Sequence, residues 1–184
     1  MITQFKTLFI AAFVVVTAAG FTTGALASAD ISAALPDLDV PFIVSPPAVA
    51  NTMLAMADVT AADFVIDLGS GDGRIIVLAA KTFGARGLGV DIDPKLVATA
   101  RNNAERAKVT DRASFRVEDL FTTDLSKASV ITMYLLPDVN LALRPKLLKL
   151  KPGTRIVSHD WDMGDWPHDQ MRVVDNPGKT AWGL

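Results

Sequence analysis

Two rhythms of apolar and polar positions alternate along this chain. Five short apolar runs suit buried strands: 64–68, 88–91, 113–117, 129–133 and 155–158. Between them the apolar residues fall at helical spacing. Val49, Met53, Leu54 and Ala57 share one face after Ser45-Pro-Pro47, where Ser45 is the expected N-cap and the prolines fill the first turn. Ile75, Ile76, Ala79 and Phe83 form a second face that ends at Gly84. Leu96, Val97, Ala100, Ala104 and Ala107 form a third, opened by Asp93 as cap and Pro94 at the first helical position. A fourth helix is expected over 137–150, with Asp138 as its cap, before the turn Lys151-Pro-Gly153. Strands alternating with helices predict an α/β fold with a mostly parallel sheet covered on both faces. A ligand then sits at the carboxyl ends of the strands, near the point where strand order reverses.

The N-terminus follows a different pattern. Lys6 precedes an uncharged run to Ala29, with Leu8 to Val16 as its apolar heart and Ala25-Leu-Ala27 matching a cleavage signal. Residues 1–27 read as an export leader or as an uncleaved membrane anchor, since the run is long enough to span a bilayer. Residues 28–44 read as a linker, and 45–184 as the single domain.

Composition narrows the chemistry. The chain has 184 residues, a net charge of −2 and no cysteine, so disulfides and thiolate metal sites are excluded. With only His159 and His168 besides, no metal site is expected. No basic run marks nucleic-acid binding.

The candidate chemistry is concentrated in Asp67-Leu-Gly-Ser-Gly-Asp-Gly-Arg74, a glycine-rich turn between strand and helix. Glycine has no Cβ, so such a backbone approaches a ligand closely. A dinucleotide site wants G-x-G-x-x-G; counted from Gly69, its third glycine falls on Arg74. Asp67 and Asp72 repel a pyrophosphate and suit a ligand that carries positive charge. The pattern D-x-G-x-G-x-G resembles motif I of the class I methyltransferases, whose cofactor S-adenosyl-L-methionine (SAM) has a cationic sulfonium and ammonium. Asp91, ending the next strand, can accept both ribose hydroxyls. Asp119 can accept the adenine amino group, with Leu120 or Phe121 against the ring; a helix cap or solvated acid is its other reading. Tyr134, the only tyrosine, either flanks the transferring methyl group and bonds the nucleophile, or closes the core edge. His159 reads as a strand-end histidine held within a loop, or as a base. Trp161, Met163 and Trp166 read as loop packing by default, with a lid or a membrane-facing patch as the other readings.

Four segments carry a closer resemblance: Val40-Pro-Phe-Ile-Val-Ser-Pro46, the 67–74 loop, Met133-Tyr-Leu-Leu-Pro137 with Leu143-Arg-Pro-Lys146, and Lys151 to Ser158. They resemble small bacterial class I methyltransferases related to the mitochondrial lysine methyltransferases that modify the ATP synthase and the ADP/ATP carrier. The resemblance implies a Rossmann-like three-layer sandwich. It implies SAM binding by Asp67, Gly69, Ser70, Gly71, Gly73, Asp91, Ile92, Asp119 and Leu120, with Ser45-Pro46 closing over the cofactor. Class I folds finish with two further strands, yet after 175–178 only Lys179 to Leu184 remain. The expectation is a domain lacking its last strand, with a sheet position left open.

The expected function is SAM-dependent methyl transfer to nitrogen, with a protein lysine as the acceptor. Small-molecule methylation, a SAM-binding module without transferase activity and a nicotinamide oxidoreductase are the alternatives. An export leader conflicts with a cofactor made in the cytosol; an anchored domain facing the cytosol would resolve the conflict.

Overall fold

The computed structural model describes residues 8–13 and 43–174. Most of the expected leader and linker, including Ala25-Leu-Ala27, and the segment from Asp175 onward lie outside the described residues. In chain order the elements are β1 Leu8–Phe13, α1 Pro47–Met56, β2 Phe64–Leu68, α2 Arg74–Thr82, β3 Arg86–Asp91, α3 Pro94–Ala107, β4 Ala113–Val117, β5 Val130–Met133, α4 Pro137–Leu147, β6 Arg155–Asp160 and β7 Gln170–Met171.

The strands form one sheet in the order β4-β3-β2-β5-β6-β1-β7, and every pairing is parallel. From β2 the chain steps outward through β3 to β4, then returns to β5 on the other side of β2. Strand order therefore reverses between β2 and β5, and a crevice opens above their carboxyl ends. Register sets Asp67 beside Gly89 on one side and Thr132 on the other.

Successive residues of each central strand point to opposite faces. Val65, Val130 and Val157 pack into one core with Met53, Leu54, Ile76 and Ala100, under α1, α2 and α3. Their neighbours Ile66, Ile131 and Ile156 pack into the other with Leu143, Leu147 and Met163. Both faces are buried, which is why these strands read as continuous apolar runs rather than alternating ones.

Helix starts differ from expectation in two places. Asp93 caps α3 as expected, its carboxylate accepting the Lys95 N–H at 2.7 Å. Ser45, however, does not cap α1: Pro46 holds the cap position without a side-chain bond, and the Ser45 hydroxyl is drawn to His159 instead. Asp138 does not cap α4 either. The cap position falls two residues earlier, at Leu136, which leaves the acid in the first turn, where it still complements the helix dipole.

The sheet position expected to be open is filled. Leu8–Phe13, from the middle of the expected leader, pairs with the full length of β6, and β7 pairs with β1. An apolar segment has strong reason to occupy a strand edge whose N–H and C=O groups are otherwise unpaired. No helix among the described residues is long and apolar enough to cross a membrane.

Candidate functional site

The 67–74 loop lies at the switch point. Its first turn is tied to β3: the N–H groups of Gly69 and Ser70 both reach the carbonyl of Val90, at 3.0 and 2.9 Å. Gly69 has φ +71°, and a Cβ there would lie 2.7 Å from a Leu135 methyl. Gly73 caps α2 at φ +77° without a side chain to satisfy the helix's first N–H groups; its Cα faces Phe115 and Ala100 so closely that a Cβ would sit 2.6 and 2.7 Å from them. Gly73 therefore packs the loop against α3 and β4, while Gly69 lets the loop pass close to Leu135.

Asp67, Gly69, Ser70, Gly71, Asp72 and Arg74 line a cleft together with residues 43–45 and Tyr134. Asp67 is buried, and its Oδ1 accepts the Thr132 hydroxyl at 2.6 Å. Burial pushes its pKa up to about 8 against that bond, and the charges of Asp91 and Asp72 push the same way. A neutral carboxyl facing a cleft takes up a cation by giving up its proton. Burial would also raise Asp72, but the Arg74 guanidinium, 2.7 Å away, outweighs it and holds the acid below its ordinary range. Arg74 also donates to the Ser45 carbonyl at 3.1 Å. The one cation of the loop is thus engaged by Asp72, and it pins the 43–46 segment beside the glycines.

Asp91, Ile92, Asp119 and Leu120 fall outside that lining, at the carboxyl ends of β3 and β4. Asp91 accepts the Gly71 N–H on Oδ2 at 2.8 Å and the Asp93 N–H on Oδ1 at 3.0 Å. Each oxygen keeps a further lone pair for a ligand hydroxyl. Ile92 is 75 % exposed. Asp119 accepts the Phe121 N–H at 2.8 Å in a local turn, and Leu120 packs against the α4-side core. Lys146 braces this turn, its ammonium donating to the Phe121 carbonyl at 2.7 Å.

Tyr134 follows β5 and reaches β6. Its hydroxyl donates to Asp160 Oδ2 at 3.0 Å, and its ring lies 4.0 Å, centroid to centroid, from His159. His159 is buried, with Nδ1 2.8 Å from the Ser45 hydroxyl and Nε2 3.4 Å from Asp160 Oδ1. Met163 is buried and bridges to Trp166 in the loop after β6, whereas Trp161 is exposed. Thr132, Asp160 and the Ser45–His159 contact are absent from the reading of the sequence. The partners of each are far apart along the chain, so no local spacing marks them.

These residues fit SAM. Ser70 Oγ is buried without a partner among the described residues. Gly69 and Gly71 present bare backbone to the cleft, and the acidic side chains there suit a cofactor that is cationic. No group of side chains suited to a metal occurs among the described residues.

Comparison with known proteins agrees with this arrangement. Residues 67–170 match the ANTKMT methyltransferase domain model. The chain is 45 % identical over 139 residues to a protein-lysine N-methyltransferase of Saccharolobus islandicus, covering 74 % of this chain and 86 % of that one. It is 35 % identical to the adenine nucleotide translocase lysine N-methyltransferase of Mus musculus over 64 % of this chain, and spans 51 % of that longer relative. A crystal structure from Salinibacter ruber, described as an RNA methyltransferase in complex with S-adenosyl-L-homocysteine (SAH), superposes with a TM-score of 0.69 at 54 % identity. It covers 74 % of this chain and 88 % of that one.

Proposed function

As this chain belongs to the ANTKMT methyltransferase-domain family and is a SAM-dependent methyltransferase, we propose that its acceptor is the ε-amine of a protein lysine. The observation that carries this reading is the charge of the rim. Every strand of the parallel sheet ends at the same edge, where β3 and β6 finish in Asp91 and Asp160 and the segments after β4 and β5 carry Glu118, Asp119 and Asp138. Arg74, the cation of the 67–74 loop, is neutralised by Asp72. An acidic rim attracts a lysine ammonium over a distance of about 8 Å at physiological salt.

The loop residues Asp67, Gly69, Ser70 and Gly71 hold the methionine half of the cofactor in this reading, and Gly73 seats the loop against α3 and β4. Asp91 takes the ribose hydroxyls, Ile92 and Leu120 flank the adenine, and Asp119 accepts its amino group. When bound, SAM supplies a methyl group already activated by its sulfonium, so the protein's task is largely orientation. Residues 43–45 form part of the cleft wall, with the Ser45 carbonyl held by Arg74. A lysine entering this low-dielectric space loses its proton more readily than in solvent, since burial disfavours the ammonium.

The name of the Salinibacter ruber protein favours RNA as a second acceptor class. Phosphates need cations, however, and the rim presents acids. The test is incubation of the full chain with methyl-labelled SAM and separate total-protein and total-RNA fractions. Label that survives nuclease and appears as methyl-lysine after hydrolysis supports the proposal. Label confined to RNA overturns it.

A further inference from the structure

Tyr134, Asp160, His159 and Ser45 come from three distant parts of the chain and meet at the inner wall of the cleft. Asp160 stands at their centre. One carboxylate oxygen accepts the Tyr134 hydroxyl at 3.0 Å, and the other lies 3.4 Å from His159 Nε2. His159 is in turn 2.8 Å from Ser45, next to the segment that Arg74 pins. The backbone of Asp160 adopts φ +62°, a left-handed conformation that non-glycine residues adopt rarely, aspartate and asparagine more readily than most. Strain of this kind persists only where the surroundings hold it.

The arrangement sets the polarity of Tyr134. A phenol has one hydrogen to donate, and here it goes to Asp160. The oxygen's lone pairs are therefore what Tyr134 can offer to the cleft it lines. A neutral amine ready for methylation has N–H bonds to donate and one lone pair that must point at the methyl carbon. An acceptor beside it binds an N–H and so aims the lone pair. A phenol free to rotate would instead donate to that lone pair and block attack.

We propose that Tyr134 is the residue that orients the acceptor amine, and that Asp160 is a positioning residue that keeps its hydroxyl an acceptor. His159 and Ser45 hold the carboxylate in place from the far side. These roles rest on the lysine reading above.

The test is a double-mutant cycle with Asp160→Asn and Tyr134→Phe in the full chain. Asparagine is among the residues that best tolerate a left-handed backbone, so Asp160→Asn keeps the strained turn. Its amide can donate to the phenol and reverse its polarity. SAH affinity is measured by calorimetry, and kcat and KM are measured on a lysine-containing peptide mixture with labelled SAM. Each single variant is expected to lower kcat about 10- to 100-fold, the worth of one oriented group. SAH affinity stays within threefold, and the double variant is no slower than Tyr134→Phe alone. Wild-type kcat in Asp160→Asn overturns the proposal, as does a double variant whose loss is the product of the two. Loss of SAH binding in either variant also overturns it, because the residue would then serve the fold or the cofactor. Absence of lysine transfer by the wild-type protein, with SAH still bound, overturns the lysine reading itself and is seen before any variant is made.

Discussion

The N–H of Gly71 donates to Oδ2 of Asp91 at 2.8 Å, twenty residues later in the chain. The glycine loop after β2 and the acid that ends β3 are thereby one unit. The same loop is held a second time by the Val90 carbonyl, which takes the N–H groups of Gly69 and Ser70. A ligand meeting this edge finds loop and carboxylate already in register, which lowers the ordering cost of binding.

Replacing Asp91 by alanine removes the ribose acceptor and frees the Gly71 N–H. The expected result is SAH binding weakened about 100-fold, the worth of one or two hydrogen bonds to a charged group. Calorimetric titration checks it, and binding within threefold of wild type would remove Asp91 from the cofactor site.

Asp67 ties stability to pH. Its ordinary value of 3.8 is raised by burial to about 8 in the folded chain. Between those values the folded state holds a proton that the unfolded state has lost. The contribution is fully present below the unfolded value and fades as pH rises through the folded one. Each pH unit across that window removes up to about 1.4 kcal/mol. Asp67→Asn has no proton to lose, so its urea midpoint should fall less than that of wild type between pH 5 and pH 8. Parallel curves for the two proteins would contradict the assignment.

Gly69→Ala places a methyl 2.7 Å from Leu135 at a φ of +71°. Strain and overpacking together are expected to cost about 2–4 kcal/mol. The variant should also weaken SAH binding, since relieving the clash with Leu135 moves the backbone of a loop that lines the cleft. Denaturant unfolding and calorimetry measure the two effects separately.

Tyr134 is the chain's only tyrosine, so phenol absorbance reports on it alone. Burial, followed by the charge and the hydrogen bond of Asp160, raises its pKa from 10.0 to about 12. Asp160→Asn removes the second and third causes. Its ionisation, followed at 295 nm, is expected to move back toward 10.0 while the wild-type phenol stays neutral at that pH. Identical titration curves would show that Asp160 does not act on the hydroxyl.

Much of the fold is legible because its causes are local. Short apolar runs mark β2, β5 and β6 at the centre of the sheet, and the alternation of Ala113, Ser114, Phe115 and Arg116 marks β4. The pair Asp93-Pro94 marks the start of α3 by side-chain capping and a preset φ. The glycine spacing with its flanking acids marks the crevice loop for the same reason. Ser45 shows where such reasoning fails. Its position before two prolines is that of a cap, yet a buried imidazole 114 residues away competes for the hydroxyl and wins. Leu8–Phe13 shows a second limit of local reasoning. An apolar run this long suits leader, anchor and strand alike, and its pairing with β6 is visible only in the tertiary structure.

What the sequence determined by itself is the alternation of strands and helices, the place of the nucleoside crevice and the carboxylates that favour a cationic cofactor, because period, capping and glycine geometry act within a few residues. The tertiary structure alone decided that Thr132 bonds Asp67, that Arg74 holds the Ser45 carbonyl, and that Asp160 takes the hydrogen of the Tyr134 hydroxyl. Those relationships join side chains brought together only by strand order and register, and no spacing along the chain encodes them.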